Sequence, residues 1–341
     1  MFGEHAVLYG KTSVACAIAK YATAVVKRES TDRNGNFVIS LGDFSDSYGR
    51  SLEYAISTKH LKKMYKDYSE SQLEKYIKDN DDKKVFLPFL TIAARLQSKG
   101  VELGGLHITL KSEIPMQRGM ASSAACSTAF AVSLIRCSNI KIAEEEIIDI
   151  ARDGERVSHA SAKAGGIDVT TSFYGGYISY STSNGVKVED LDMDINPLII
   201  DTGPKKNTLE MVKIVGEFVK NNPEAAVKIM NDIDSISHNG IKMLKKRSIK
   251  DVGILMYENQ ECLKVLGVST PKIDKIVDLA KKSDAFGAKI SGGGGGGIII
   301  VIPNLNNEDK LIKSIIPEHV EIIKSTISKE GAKGYLSENS D

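Results

Sequence analysis

Residues 289–302 read KISGGGGGGIIIVI, and the six glycines from Gly292 to Gly297 need a physical reason. Each loses more backbone freedom on folding than any other residue would. A flexible linker would have polar, unstructured flanks, whereas here AKIS precedes the run and IIIVI follows it. That pattern reads as strand, tight loop, strand. Glycine also permits positive φ and presents consecutive backbone N–H groups, the arrangement that makes anion-binding nests. The run is therefore either a loop wrapped around an anion or a packing turn.

A second stretch, IPMQRGMASSAACSTAF over Ile114 to Phe130, favours the anion. A strand ends at Pro115, a short loop carries Gly119, and a helix opens at Ser122-Ser123-Ala124-Ala125. A helix N-terminus offers unpaired N–H groups and the positive end of the dipole, so it binds phosphate readily. Ser122 or Ser123 can cap that helix, and the same hydroxyl can reach a nucleotide-borne metal. By contrast, Gly10-Lys11-Thr12 is not the end of a P-loop, because the motif requires glycine five residues before Gly10 and His5 stands there.

Acids come from GERVSHASAKAGGIDVTTSFYGG, Gly154 to Gly176. Glu155 closes a helical pattern, and Asp168 is expected in a glycine-flanked loop leading into a strand. A carboxylate so placed can accept or orient a hydroxyl proton in phosphoryl transfer, while Glu155 can ligate Mg²⁺. The plainer alternative makes Asp168 a turn residue. His159 reads as a packing or hydrogen-bonding side chain.

Composition narrows the function class. A chain of 341 residues is expected to form two domains, and 42% hydrophobic with 26% charged residues is ordinary globular composition. Forty-five Lys and Arg against forty-four Asp and Glu leave a net charge of +1, without the basic excess of a phosphate-backbone binder. No nucleic-acid partner is expected. Cys16, Cys126, Cys137 and Cys262 form no CxxC pair, which fits a reducing cytoplasm. Apolar runs are too short for a membrane span, and Glu4 and His5 stand where a signal peptide would be basic and then apolar.

Strands are expected at 22–27, 37–41, 106–114, 177–180, 197–201 and 297–302, and helices at 122–136, 143–158, 207–220, 249–266 and 271–282. Residues 65–84 read as a solvated helix and loop, and the polar cluster Ser181 to Gly185 as a place near a domain boundary.

Taken in order, Gly3-Glu4-His5-Ala6-Val7-Leu8-Tyr9-Gly10, Pro115 with Gly119 and Ser122-Ser123-Ala124-Ala125, Gly166-Ile167-Asp168 with Tyr174-Gly175-Gly176, and Lys289-Ile290-Ser291 with the glycines resemble the GHMP kinases. The likeness is to the archaeal mevalonate kinase branch in particular. Asp201-Thr202-Gly203-Pro204-Lys205-Lys206-Asn207-Thr208 and Asn259 with Leu263 to Pro271 are also similar to segments of that branch.

The resemblance implies an α+β two-domain GHMP kinase fold. A ribosomal-S5-domain-2-like N-terminal domain would cover residues 1–180 and a ferredoxin-like C-terminal domain residues 181–341. It implies ATP-dependent phosphorylation of the primary hydroxyl of mevalonate, with ATP and Mg²⁺ as cofactors, a small-molecule partner, and room for a homodimer. Carried over by position, Pro115, Arg118, Gly119, Met120, Ala121, Ser122, Ser123 and Ala124 would bind ATP. Ser122 and Glu155 would hold the metal, and Asp168 would be catalytic. Glu4, His5, Thr202, Gly293, Gly294 and Gly295 would bind the acceptor, with Lys206 close by.

The chain departs from the family pattern at three places. The SAPGK-like segment that precedes the GEH in relatives, with its lysine, is missing ahead of Met1-Phe2, so the gene product is expected to extend upstream. The phosphate loop carries Gln117, Arg118 and Ala121 where relatives have small residues or glycine. Asp168 is followed by Val-Thr-Thr, with about two extra residues between it and Glu155. Two alternatives stand beside the kinase for mevalonate: a kinase for a phosphorylated mevalonate, met by Arg118, Lys163 or Lys206, and a non-catalytic binding protein of the same fold.

Overall fold

The computed structural model describes residues 1–31, 35–45, 51–67, 81–116, 118–138, 140–159, 166–203 and 208–336. In chain order its elements are β1 (Ser13–Cys16), β2 (Ala22–Arg28), β3 (Asn36–Ser45), β4 (Ser51–Ser57), α1 (Thr58–Asp67), α2 (Leu87–Ser98), β5 (Leu106–Ser112), α3 (Ser122–Ser138), α4 (Glu144–Ser158) and α5 (Gly166–Tyr174). There follow β6 (Tyr177–Ser181), β7 (Gly185–Glu189), β8 (Leu198–Asp201), α6 (Thr208–Asn221), α7 (Pro223–Lys245), α8 (Ile249–Val265), α9 (Pro271–Lys282), β9 (Gly287–Ile290), β10 (Ile298–Ile302), α10 (Glu308–Ile315) and β11 (Glu321–Lys324). They form two compact units that interleave along the chain. The first comprises Met1–Ala19, Pro115–Met120 and Gly175–Glu330, and the second Lys20–Ile114, Ala121–Tyr174 and Gly331–Asp341. The polar cluster Ser181 to Gly185 is the turn of the β6–β7 hairpin inside the first unit, so packing does not divide the chain at residue 180.

The second unit is built on a four-stranded sheet of order β2-β5-β3-β4, antiparallel except for the β3–β5 pair. Alternate residues of its strands, Phe37, Ile39 and Leu41 on β3 and Leu106, Ile108 and Leu110 on β5, turn inward against Leu90 and Leu96 of α2 and Phe130 and Leu134 of α3. Arg95 of α2 forks onto Asp149 and Asp153 of α4 at 2.7 Å each, which fixes α4 beside α2.

The first unit carries two sheets. One is β1-β6-β7, and the other is β11-β8-β10-β9, antiparallel throughout. Every residue of β8 and β9 is buried, so their sequences, LIID and GAKI, lack the alternation of a half-exposed strand. Helices α8 and α9 lie on β9. Contact between α8 and β9 is close because Gly253 and Gly287 face each other: a Cβ on Gly253 would sit 2.0 Å from the Phe286 carbonyl oxygen.

Five of the described helices were not expected from periodicity: α1 apart from its last three residues, α2, α5, α7 and α10. α2 carries little helical stripe because much of it is buried all round, whereas α7 does bury one stripe, running through Ala226, Met230, Ile233, Ser237, Gly240 and Leu244. α5 places Asp168 in a first helical turn rather than in a loop. Most of the 65–84 segment lies outside the described residues. Among those described, no helix is long and apolar enough to cross a membrane, and the four cysteines are unpaired.

Gly253→Ala should cost on the order of 3 kcal/mol, because two backbones must separate to admit the methyl. Gly216→Ala, on α6 with nothing within 4 Å of the new Cβ, should be neutral or stabilise by about 0.5 kcal/mol. Urea unfolding of the two variants beside the wild type checks both values.

Candidate active site

In the first unit, the segment after Gly3 forms a 3₁₀ turn over Ala6–Tyr9. His5 precedes it at φ 61°, a left-handed conformation that costs a side-chain-bearing residue energy and needs outside support. Support comes from the glycine run: His5 Nε2 lies 2.9 Å from the Gly293 carbonyl oxygen. A carbonyl only accepts, so Nε2 carries the proton. Burial pushes the imidazole below its ordinary pKa, against the pull of that hydrogen bond, so His5 is neutral at pH 7.

Glu4, the neighbouring residue, is paired with Lys289 of β9, whose side chain is entirely buried. Burial would raise the Glu4 carboxyl, and the Lys289 ammonium overcomes it, holding the carboxyl below its usual range. The Lys289 ammonium also donates to the Ile290 carbonyl. The other carboxylate oxygen of Glu4, Oε2, is buried without a hydrogen-bond partner.

Five of the six glycines in the run, Gly292 and Gly294 to Gly297, have positive φ. Among the described residues the N–H groups of Gly292, Gly293 and Gly296 make no hydrogen bond, while that of Gly295 is held by the Val268 carbonyl at 2.8 Å. Of the two readings of the run, a loop around an anion or a packing turn, the packing turn describes Gly294. A Cβ there would lie 2.4 Å from the Val268 carbonyl oxygen, so the protein itself excludes it. Gly293 differs, since its Cβ would only touch Thr208 Cγ2 at 3.4 Å.

Thr202 closes the run at its far end, its N–H and Oγ1 both donating to the Gly297 carbonyl at 2.9 Å. Next to it, Asp201 is 4% exposed and holds two partners, the Gly203 N–H at 2.8 Å and Arg118 Nε at 3.0 Å. Arg118 thereby anchors the loop of Pro115, Gly119 and Met120 to the end of β8, and the Gly119 carbonyl faces Gly292. Lys163, Lys206 and Gln117 lie outside the described residues.

In the second unit, Ala121 stands at φ 55° and α3 begins at Ser122. The helix ladder starts with the Ala125 N–H donating to the Ala121 carbonyl at 3.1 Å, which leaves the N–H groups of Ser122, Ser123 and Ala124 at the helix mouth. Of the two serines that the sequence offered as caps, Ser122 does not use its hydroxyl that way. Ser122 Oγ donates to the Ile114 carbonyl at 3.3 Å and lies 3.3 Å from Ser112 Oγ, tying the helix start back to β5.

Helices α3, α4 and α5 pack on one another. Gly154 makes the α3–α4 approach close, since a Cβ there would lie 2.5 Å from Ser127 Oγ. The next residue, Glu155, is 1% exposed. Its Oε2 lies 3.4 Å from His159 Nε2, and its Oε1 is buried without a partner. An orphaned carboxylate oxygen fits a cation or a water. No cluster of three or more His, Cys, Asp or Glu groups able to cage a metal occurs among the described residues, so a metal here would need a ligand-borne partner. Asp168 is exposed in the first turn of α5.

Lys289, Asp201 and Val268 fall within segments quoted for the family resemblance, but sequence reasoning gave none of them a role in this arrangement. A signal existed for the first, because a lysine interrupts an otherwise apolar strand. Val268 offered none.

Gly294→Ala should lose on the order of 2 kcal/mol, through positive φ and the Val268 clash, whereas Gly293→Ala should stay within about 0.5 kcal/mol of wild type. Thermal melts of the pair test this. His5 gives a pH signature as well. Its folded pKa is depressed, so the unfolded chain takes up a proton that the folded one refuses, and stability should fall as pH drops through about 6.5. Unfolding midpoints between about pH 5.5 and 7.5 should show a shallower slope in His5→Asn.

Two domain families match the chain: residues 88–176 match the GHMP kinases N terminal domain and residues 241–322 the GHMP kinases C terminal domain, together about half of the chain. The chain is 28% identical over 328 residues to the mevalonate kinase of Methanocaldococcus jannaschii, spanning 94% of this chain and 95% of that one. It is 27% identical over 300 residues to the mevalonate kinase of Pyrococcus furiosus, 86% and 83% of the two chains. The crystal structure of the Methanococcus jannaschii mevalonate kinase superimposes with a TM-score of 0.77 at 27% identity, covering 96% of this chain and 95% of that one. At the level of fold, the L. major mevalonate kinase in complex with R-mevalonate gives a TM-score of 0.75 at 22% identity, covering 97% and 94%. With two matched domains in order and a superposition over nearly its whole length, the chain belongs to the GHMP kinases, in the company of the archaeal mevalonate kinases.

Proposed function

We propose that this kinase transfers the γ-phosphoryl group of ATP to the primary hydroxyl of mevalonate, giving 5-phosphomevalonate for isoprenoid biosynthesis. The observation that carries the reading is the buried, unpartnered Oε1 of Glu155 on a helix packed against one whose first-turn amides are unbonded. A pure binding protein has no need to bury a carboxylate there, since an unsatisfied charged oxygen is costly.

Each residue then has a task. The N–H groups of Ser122, Ser123 and Ala124 hold phosphate oxygens at the positive end of α3, and the Pro115 to Ala121 loop borders the nucleotide. Ser122 and Glu155 would hold Mg²⁺, which neutralises phosphate charge when bound. Asp168 orients the acceptor hydroxyl and takes its proton. Glu4, His5, Thr202 and the run from Gly293 to Gly295 bind the acceptor.

A second reading, a phosphorylated mevalonate as acceptor, is favoured by Arg118. Its Nε is spent on Asp201, and its two terminal amino groups have no partner among the described residues. They suit an additional phosphate.

ATP turnover with mevalonate and with its phosphorylated forms separates the readings. Mevalonate should be the better acceptor, and the reverse order would select the second reading. Asp168→Asn should slow single-turnover phosphoryl transfer by about 10²–10⁴-fold with ATP affinity nearly intact. Glu155→Gln should instead weaken Mg·ATP and raise the magnesium requirement. Equal loss of ATP binding in both variants, or full turnover in Asp168→Asn, would refute this division.

A further inference from the structure

Among the described residues, Lys289 is the one lysine in the set of largest fully buried side chains, on a strand whose four residues are all buried. A charge in such a place is retained at a cost unless it is paired. Its partner lies at the other end of the first unit's sequence, 285 residues away in Glu4. The next residue makes a second link, spanning 288 residues, with His5 donating to the Gly293 carbonyl four residues after Lys289. The Glu4–His5 turn and the glycine run are thus joined by two parallel ties, one ionic and one neutral.

The two ties are unequal. His5 sits in left-handed backbone and is neutral, so its hydrogen bond is of the ordinary, weaker kind. The ionic tie is sealed from solvent on both sides, the Lys289 side chain at 0% exposure and that of Glu4 at 12%. Screening cannot weaken it as it would a surface pair. Glu4 Oε2 is buried as well.

We infer that Lys289 is a positioning residue: its ammonium holds Glu4, and through Glu4 keeps the His5–Gly293 bond and the shape of the glycine run. The inference rests on the assignment of these residues to the acceptor, and it extends that assignment to a side chain that never meets the acceptor.

Lys289→Met, Glu4→Gln and the double variant test it by three readouts. Either single change leaves an uncompensated buried group and should lower the melting temperature, whereas the double change removes both charges and should recover most of it. Positioning predicts that kcat/KM for the acceptor falls on the order of 10²-fold in Lys289→Met, with KM for ATP within about threefold, and that the double variant is no worse than the worse single one. Hydrogen exchange in the 289–298 peptide should be faster in Lys289→Met and remain faster in the refolded-stable double variant. Recovery of acceptor kcat/KM along with melting temperature, multiplying effects, or unchanged exchange in the glycine run would each overturn the inference. A wild-type protein that phosphorylates no acceptor would overturn the proposed function instead, and the exchange readout would still decide the role of Lys289.

Discussion

A carboxylate and an ammonium, both withdrawn from water, join the start of the chain to a hairpin 285 residues later. Such a pair does not gain much over a hydrophobic replacement, because desolvating two ions offsets their attraction. What it contributes is uniqueness of arrangement. The Lys289 ammonium is spent on Glu4 and the Ile290 carbonyl, so the Glu4–His5 turn has one place to be, and His5 is held where the Gly293 carbonyl can accept its hydrogen bond.

Around that tie, the glycine run is constrained from three directions. Val268 excludes a side chain at Gly294 and captures the Gly295 N–H, Thr202 holds the Gly297 carbonyl, and the Gly119 carbonyl faces Gly292. The loop is accordingly shaped by the protein before any ligand is considered. Preformed loops of this kind bind with less loss of conformational entropy than loops that order on contact. Arg118, where the family pattern would place a small residue, adds a further anchor through Asp201, so the Pro115 to Met120 loop is tethered by a charge pair.

The other unit solves a different problem. It presents unbonded amides at the start of α3, a buried carboxylate on α4 and an exposed one on α5, and close helix contact at Gly154 draws these helices together. Glu155 and Asp168 are both acids, yet one is enclosed with an orphaned oxygen and the other stands in solvent. Environments so different suit the different work proposed for them, metal ligation for the first and proton chemistry for the second.

Much was legible in the linear sequence: the α+β class, five helices to within a residue or two at most ends, six strands, the glycine run as a strand-flanked turn, and the ordered motifs of the GHMP kinases. These are set by local periodicity, by Gly and Pro, and by short motifs whose chemistry depends on neighbours in sequence. Tertiary structure alone decided the rest. Ser122 bonds to Ile114 instead of capping, because β5 ends beside it; Asp168 opens a helix that its glycine flanks disguised as a loop. Gly294 answers to Val268, and Lys289 is buried because Glu4 waits for it. No local pattern encodes a contact between residues hundreds of positions apart, since burial and pairing at that range come from packing, which the sequence determines only as a whole.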